Sequence, residues 1–242
     1  MGQDTKNKPP SSFVKAYLAL YNTAQFAGWL YVFVQFVQHF FVHGQSLDSL
    51  WDRVGPATFF FQMLATLEVV HALTGIVPSN VPMTFAQVFG RCMVVAGAID
   101  GTPTGQKSPG LPLALFCWSL TEIIRYSYYV ANLLLPRVPA LLVWLRYTIF
   151  IPMYPCGFLG ELLCSYWAQG YIRETGKWSV ELPNRFNFSF SFYYFIWIMA
   201  ICYLPLFPQM YLHMFAQRRK VLGRSGGKQS TGSQQKKPAK AQ

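Results

Sequence analysis

Seven ionisable side chains stand in stretches that are otherwise apolar: Glu68, His71, Arg91, Glu122, Arg125, Arg146 and Glu161. An ionisable group in a hydrocarbon environment is costly, so each of these needs a partner or a task. Glu122 and Arg125 are three residues apart and can pair on one helix face. Glu68 is expected to pair with Arg91 across two helices. The run from Arg146 to Glu161 differs, because Tyr154 and Glu161 are seven residues apart. Seven residues are two helical turns, which puts a phenol and a carboxyl group on one face. Pro152 and Pro155 each remove an amide donor and are expected to distort that helix. Gly157, between the pair, is expected to leave room for a ligand. Arg146, eight residues before Tyr154, is placed to stabilise an anion or orient the phenol. The pattern is also met by a packed tyrosine and a glutamate held in a polar network.

A base and an acid facing one water-poor site can eliminate water from a β-hydroxy thioester. The base takes the α-proton and the acid protonates the departing hydroxide. A carboxylate withdrawn from water is a stronger base, and a phenol can donate to the leaving oxygen or to a developing enolate. Reversed roles for the two groups satisfy the same chemistry.

Composition says what must position these groups. The chain has 242 residues, 52% hydrophobic and only 12% charged, against about 25% charged in a soluble domain. Two runs of 32 residues, Ala16–Leu47 and Phe186–Gln217, contain no Asp, Glu, Lys or Arg. About 20 apolar residues in a helix cross a bilayer core. Six spans are expected: Phe13–Val42, Val54–Val77, Met83–Ile99, Leu111–Leu135, Pro139–Ala168 and Phe188–Phe215. Backbone amides in lipid must be satisfied internally, so the spans are expected to be helices and the fold class all-α. Residues 1–12 form a polar leading segment, residues 13–222 a six-helix membrane domain, and residues 223–242 a basic tail expected to be disordered.

An even number of spans leaves both termini on one side. With the termini cytoplasmic, that side carries Lys6, Lys8, Lys15, Arg137 and the eight basic residues from Arg218 to Lys240. The opposite side carries Arg53, Lys107, Arg173, Lys177 and Arg185, so the positive-inside rule favours cytoplasmic termini. The basic tail follows an apolar span, which reads as contact with an anionic bilayer surface and not with nucleic acid. The five cysteines, Cys92, Cys117, Cys156, Cys164 and Cys202, lie in or beside apolar segments, form no C-x-x-C, and read as buried small hydrophobes. His39 and His43 form H-x-x-x-H, but four histidines are too few for a membrane di-iron centre, and no metal is expected. The chain has no G-x-S-x-G, P-loop or G-x-G-x-x-G, and no nucleotide redox cofactor is implied.

Several stretches carry a resemblance: Glu68-Val-Val-His71-Ala-Leu-Thr-Gly, Gln87-Val-Phe-Gly-Arg91, Trp118-Ser-Leu-Thr-Glu122-Ile-Ile-Arg125-Tyr126, and Arg146-Tyr-Thr-Ile-Phe followed by Tyr154-Pro-Cys-Gly157 and Glu161. Over about residues 13–222 the sequence resembles the membrane 3-hydroxyacyl-CoA dehydratase family, also called protein-tyrosine-phosphatase-like A. The resemblance implies a hydro-lyase of the endoplasmic reticulum membrane. It would convert very-long-chain (3R)-3-hydroxyacyl-CoA to trans-2-enoyl-CoA, the third step of fatty acid elongation. Tyr154 and Glu161 fall on the family's catalytic pair, with Arg146, Gly157, Arg91 and Gln87 as supporting residues. No cofactor is implied, since CoA belongs to the substrate. The partners implied are the bilayer and the condensing enzyme, 3-ketoacyl-CoA reductase and enoyl-CoA reductase of the cycle. Phosphatase chemistry is not supported, because no cysteine has an arginine six residues on. A non-catalytic scaffold of the elongation complex is the alternative. Such a chain is expected to lack one member of the pair, and this one keeps both.

Overall fold

The computed structural model describes residues 11–227, and helices dominate them. In chain order the helices are α1 (Ser12–Val37), α2 (Leu50–Leu64), α3 (Leu67–Leu73), α4 (Val81–Cys92), α5 (Pro103–Gln106), α6 (Gly110–Leu134), α7 (Ala140–Arg146), α8 (Phe150–Thr175) and α9 (Phe192–Gly227). Two π-helical segments, Gln38–Val42 and Met93–Asp100, continue α1 and α4. Among the described residues the only β-pairing is an antiparallel bridge between Val180 and Phe190. Most of the polar segment 1–12 and of the basic tail 223–242 lies outside the described residues.

Four stretches are long and apolar enough to cross a membrane: Leu47–Leu73, Val81–Asp100, Ala140–Thr175 and Phe192–Gly223. They correspond to the second, third, fifth and sixth expected spans. The first and fourth expected spans are the helices α1 and α6, of 26 and 25 residues, and fall outside that set. Both carry polar side chains on their buried faces: Asn22 and Gln25 on α1, Ser119 and Glu122 on α6.

The expected single helices are subdivided where sequence chemistry demands it. The second span breaks at Ala65–Thr66, where the Thr66 hydroxyl donates to the Met63 carbonyl at 2.7 Å. The fifth breaks at Tyr147–Ile149, just before Pro152. A proline has no N–H for the carbonyl four residues back, here Thr148, and its ring crowds that carbonyl. Pro152 therefore sits in the first turn of α8, where no donor is needed. Pro155 lies inside α8 and leaves the Ile151 carbonyl without its helical donor. The Tyr211 hydroxyl of α9 donates to that carbonyl at 2.9 Å. Helix α8 runs beyond the expected end at Ala168 and stops at Gly176, whose φ of +63° provides a left-handed cap. Helix α9 likewise runs past Phe215 to Gly227, since Ala216–Leu222 holds good helix formers and neither Gly nor Pro.

The core lies where α1, α6 and α8 meet. Trp29, Val32 and Phe36 of α1 pack with Leu111, Leu115, Trp118 and Tyr126 of α6, and Leu50, Trp51 and Val54 of α2 close one end. On α1 the Gln25 amide donates to the Phe61 carbonyl and the Tyr21 hydroxyl, both at 3.2 Å, which ties α1 to α2 and to its own previous turn.

Candidate active site

Helices α6 and α8 approach through small residues. A Cβ on Gly160 would stand 2.7 Å from the Ala114 amide nitrogen, and one on Gly110 would stand 2.6 Å from the Gly160 carbonyl oxygen. Such backbone contact lets apolar helices associate without a hydrophobic driving force. It also fixes the height of each helix against the other, and at that height Trp118 of α6 meets Glu161 of α8. The Trp118 indole N–H donates to Glu161 Oε1 at 2.8 Å.

An ionic ladder stands beside this contact. Arg91 of α4 pairs with Glu122 of α6, and its guanidinium lies over the Trp118 ring at 5.6 Å. Glu122 also accepts from Arg125 Nε at 2.6 Å. Arg125 forms a two-pronged pair with Glu68 of α3, at 2.7 and 2.9 Å. Tyr126 donates to Glu68 at 2.6 Å and accepts from Arg125 at 2.7 Å. The ladder alternates Glu68, Arg125, Glu122, Arg91, so its charges cancel and each carboxylate has two or more donors. This arrangement holds charges where water is scarce. The i,i+3 pair of Glu122 and Arg125 is as expected. The expected partnership of Glu68 with Arg91 is not formed: Glu68 takes Arg125 and Arg91 takes Glu122. The crossing of α3, α4 and α6 decides this, and residue spacing carries no record of it.

Glu161 itself lines a small apolar cleft between α4, α8 and α9, with a cavity volume of about 60 Å³. The π-helical segment contributes Met93, Val94 and Ala98, α8 contributes Phe158 and Leu162, and α9 contributes Met199 and Tyr203. Wide π turns recur at functional sites, and here one forms a wall of the cleft. A Cβ on Gly90 would collide with the Tyr203 hydroxyl, which donates to the Ala86 carbonyl at 3.0 Å. The arrangement sets a single carboxyl group into an otherwise apolar wall.

The expected site residues are distributed unevenly around this cleft. Glu161 and Arg91 are brought together through Trp118. Tyr154 is half-buried on α8, about 10 Å of helix rise before Glu161. Its ring meets Phe150 edge-on at 6.1 Å and does not line the cleft. Gly157 is buried, and a Cβ there would stand 3.3 Å from Cys117 Cβ. The space it was expected to leave for a ligand is taken by α6. Arg146 ends α7, across the break from α8, with its guanidinium 5.9 Å from the Tyr129 ring. Gln87 is exposed on α4, one turn before Arg91. Trp118 and Tyr203 were missed as site residues. Trp118 stood in a quoted motif without a role, and nothing in the spacing of Tyr203 marks it. His39 is buried and hydrogen-bonds the Ser46 carbonyl at 2.8 Å, while His43 is exposed. Cys92, Cys117 and Cys164 are buried, Cys156 is partly buried, and Cys202 is exposed on α9, against the expectation for it.

Residues 62–224 match the family described as protein tyrosine phosphatase-like protein, PTPLA. The chain belongs to the PTPLA family. The matched stretch holds the whole ladder, the α6–α8 contact and the cleft, whereas α1 precedes it. Among similar PTPLA-type proteins is one named very-long-chain (3R)-3-hydroxyacyl-CoA dehydratase 2 of Mus musculus. It is 42% identical over 90% of this chain and 85% of its own length. Dehydratase 1 of the same organism is 43% identical over 86% of this chain and 73% of its own length. The dehydratase PASTICCINO 2A of Oryza sativa subsp. japonica is 33% identical over 89% and 96%. No solved structure matches the chain.

Proposed function

We propose that this chain dehydrates very-long-chain (3R)-3-hydroxyacyl-CoA to trans-2-enoyl-CoA and water, with Glu161 as base and Tyr154 as acid. The observation that carries this reading is the Glu161 carboxylate at the wall of an apolar cleft, the surroundings an acyl chain needs. The names of the relatives supply the substrate class. In the reaction Glu161 takes a proton from C2, and the C2–H electron pair forms the C2=C3 double bond. The C3–O bond breaks, and the leaving oxygen takes the Tyr154 proton and departs as water. The phenolate then recovers a proton from the Glu161 carboxylic acid. Both residues end as they began, so the reaction calls for no cofactor. Tyr154 now rests against Phe150, so the phenol must turn towards Glu161 as substrate enters.

In this reading α1 and α6 also cross the bilayer. Each is long enough to cross the roughly 30 Å hydrocarbon core, and the neighbouring spanning helices shield their polar faces. Six spans with cytoplasmic termini run α8 outward, so Glu161 lies deeper than Tyr154 and the thioester must reach into the bundle. The compartment is the endoplasmic reticulum membrane, and the condensing enzyme and the two reductases of the elongation cycle are the partners. The test is dehydration of (3R)-3-hydroxydocosanoyl-CoA by purified wild type, Tyr154→Phe and Glu161→Gln. Turnover by the wild type and losses of at least about 10³-fold in both variants are expected. An inactive wild type would favour the scaffold, and near-normal variants would remove the pair from the mechanism.

A further inference from the structure

Trp118 is 2% exposed, and its indole N–H is the donor to Glu161 Oε1. The Arg91 guanidinium lies over its ring at 5.6 Å, and Arg91 is itself held by Glu122, one turn on from Trp118 along α6. The donor is thus fixed by a closed loop of contacts: α6 to α8 through the indole, α6 to α4 through the ion pair, and α4 back onto the ring. Among the described residues Glu161 has no other hydrogen bond, which leaves Oε2 as the oxygen available to a molecule in the cleft. Mere burial does not explain the bond, because the fold leaves the indole N–H of Trp29, also buried, without a partner.

We infer that Trp118 is a positioning residue for the dehydration: it clamps one carboxylate oxygen of Glu161 so that the other faces the α-carbon of the substrate. The inference rests on the proposed function, since it assigns Trp118 a role only if Glu161 is the base. A carboxylate without this donor can rotate about its last torsion and tilt out of the cleft. Small misplacements of a reacting group are expensive in rate.

The test replaces the Trp118 indole by benzothiophene, introduced as 3-benzothienylalanine, which exchanges the N–H for sulfur at nearly constant shape. Full-length protein in lipid nanodiscs is assayed with (3R)-3-hydroxydocosanoyl-CoA. The expected result is a kcat lower by about 10- to 100-fold, as for loss of a hydrogen bond to a charged group, with KM within about threefold. Trp118→Phe, which also lacks the donor, is expected to share that split between kcat and KM. The same benzothiophene replacement at Trp29 is expected to leave kcat within about twofold. A kcat within about twofold of wild type for the Trp118 analogue, alongside an inactive Glu161→Gln, would reduce Trp118 to core packing and leave the base assignment standing. A Glu161→Gln variant as active as wild type would remove the base and the clamp together.

Discussion

Helix α8 has two unlike neighbours. Against α6 it packs backbone to backbone, Gly160 on Ala114 and Gly110, with the four-membered ionic ladder beside the seam. Against α9 it packs ring to ring: Phe158 stacks on Phe207 at 4.7 Å, and Phe150 meets Tyr211 and Phe215 edge-on at 5.8 and 5.2 Å. The outer face of α9, with Tyr194, Ile198, Ile201 and Leu204, is exposed. Backbone contacts and paired charges permit one registration. Against α9 no glycine of α8 meets backbone, and ring contacts with the single Tyr211 hydroxyl bond make the softer seam. The carboxylate of Glu161 is anchored on the stiff side and opens towards the soft one.

The contrast between the two seams can be broken from either side. The largest effect is expected from Arg125→Leu, which strands Glu68 and Glu122 without their shared cation. Removing one partner of a buried pair costs about 3–5 kcal/mol, so the variant should melt far below wild type in detergent or fail to accumulate. Gly160→Val comes next. Its side chain would stand in the Ala114 backbone, and forcing α6 from α8 should cost about 1–3 kcal/mol or more. Thermal unfolding would read the loss, and Gly223→Val, with open space around it, would serve as the comparison. On the soft seam, Tyr211→Phe leaves the Ile151 carbonyl without a donor and should cost about 1–2 kcal/mol. Ala200→Phe places bulk in the cleft without touching the ladder. Melting within a few degrees of wild type and a raised KM are expected, and an unchanged KM would move the acyl chain elsewhere. The smallest effect belongs to Ile201→Leu on the exposed face of α9, within about 0.5 kcal/mol.

Much of this was legible from charge and periodicity. Charge-free runs gave helices α1 and α9. Glu122 and Arg125 pair as their i,i+3 spacing allows, and most ionisable residues of the apolar stretches meet in one ladder. What escaped depends on how helices cross. Glu68 had two arginines within reach of a sequence argument, and only the packing of α3 on α4 and α6 selects Arg125. Gly157 looked like room for a ligand, yet small residues in a membrane helix, Gly157 and the nearby Gly160 alike, equally make room for another helix. Pro152 foretold a distortion, and the break falls before it because the clash is with the carbonyl four residues back. Tyr203 and Tyr211 satisfy carbonyls on other helices, a need that no local pattern displays. The two-turn spacing of Tyr154 and Glu161 gave a shared face but not a shared cleft.

That last point makes the coupling of the pair the most direct test of the mechanism. Single-turnover dehydration of (3R)-3-hydroxydocosanoyl-CoA would be compared for Tyr154→Phe, Glu161→Gln and the double variant. If base and acid act on one substrate in one step, the double variant should be no more than about threefold slower than the slower single variant. Losses that multiply, so that the double variant falls by the product of the single effects, would show two residues acting independently and would contradict the account.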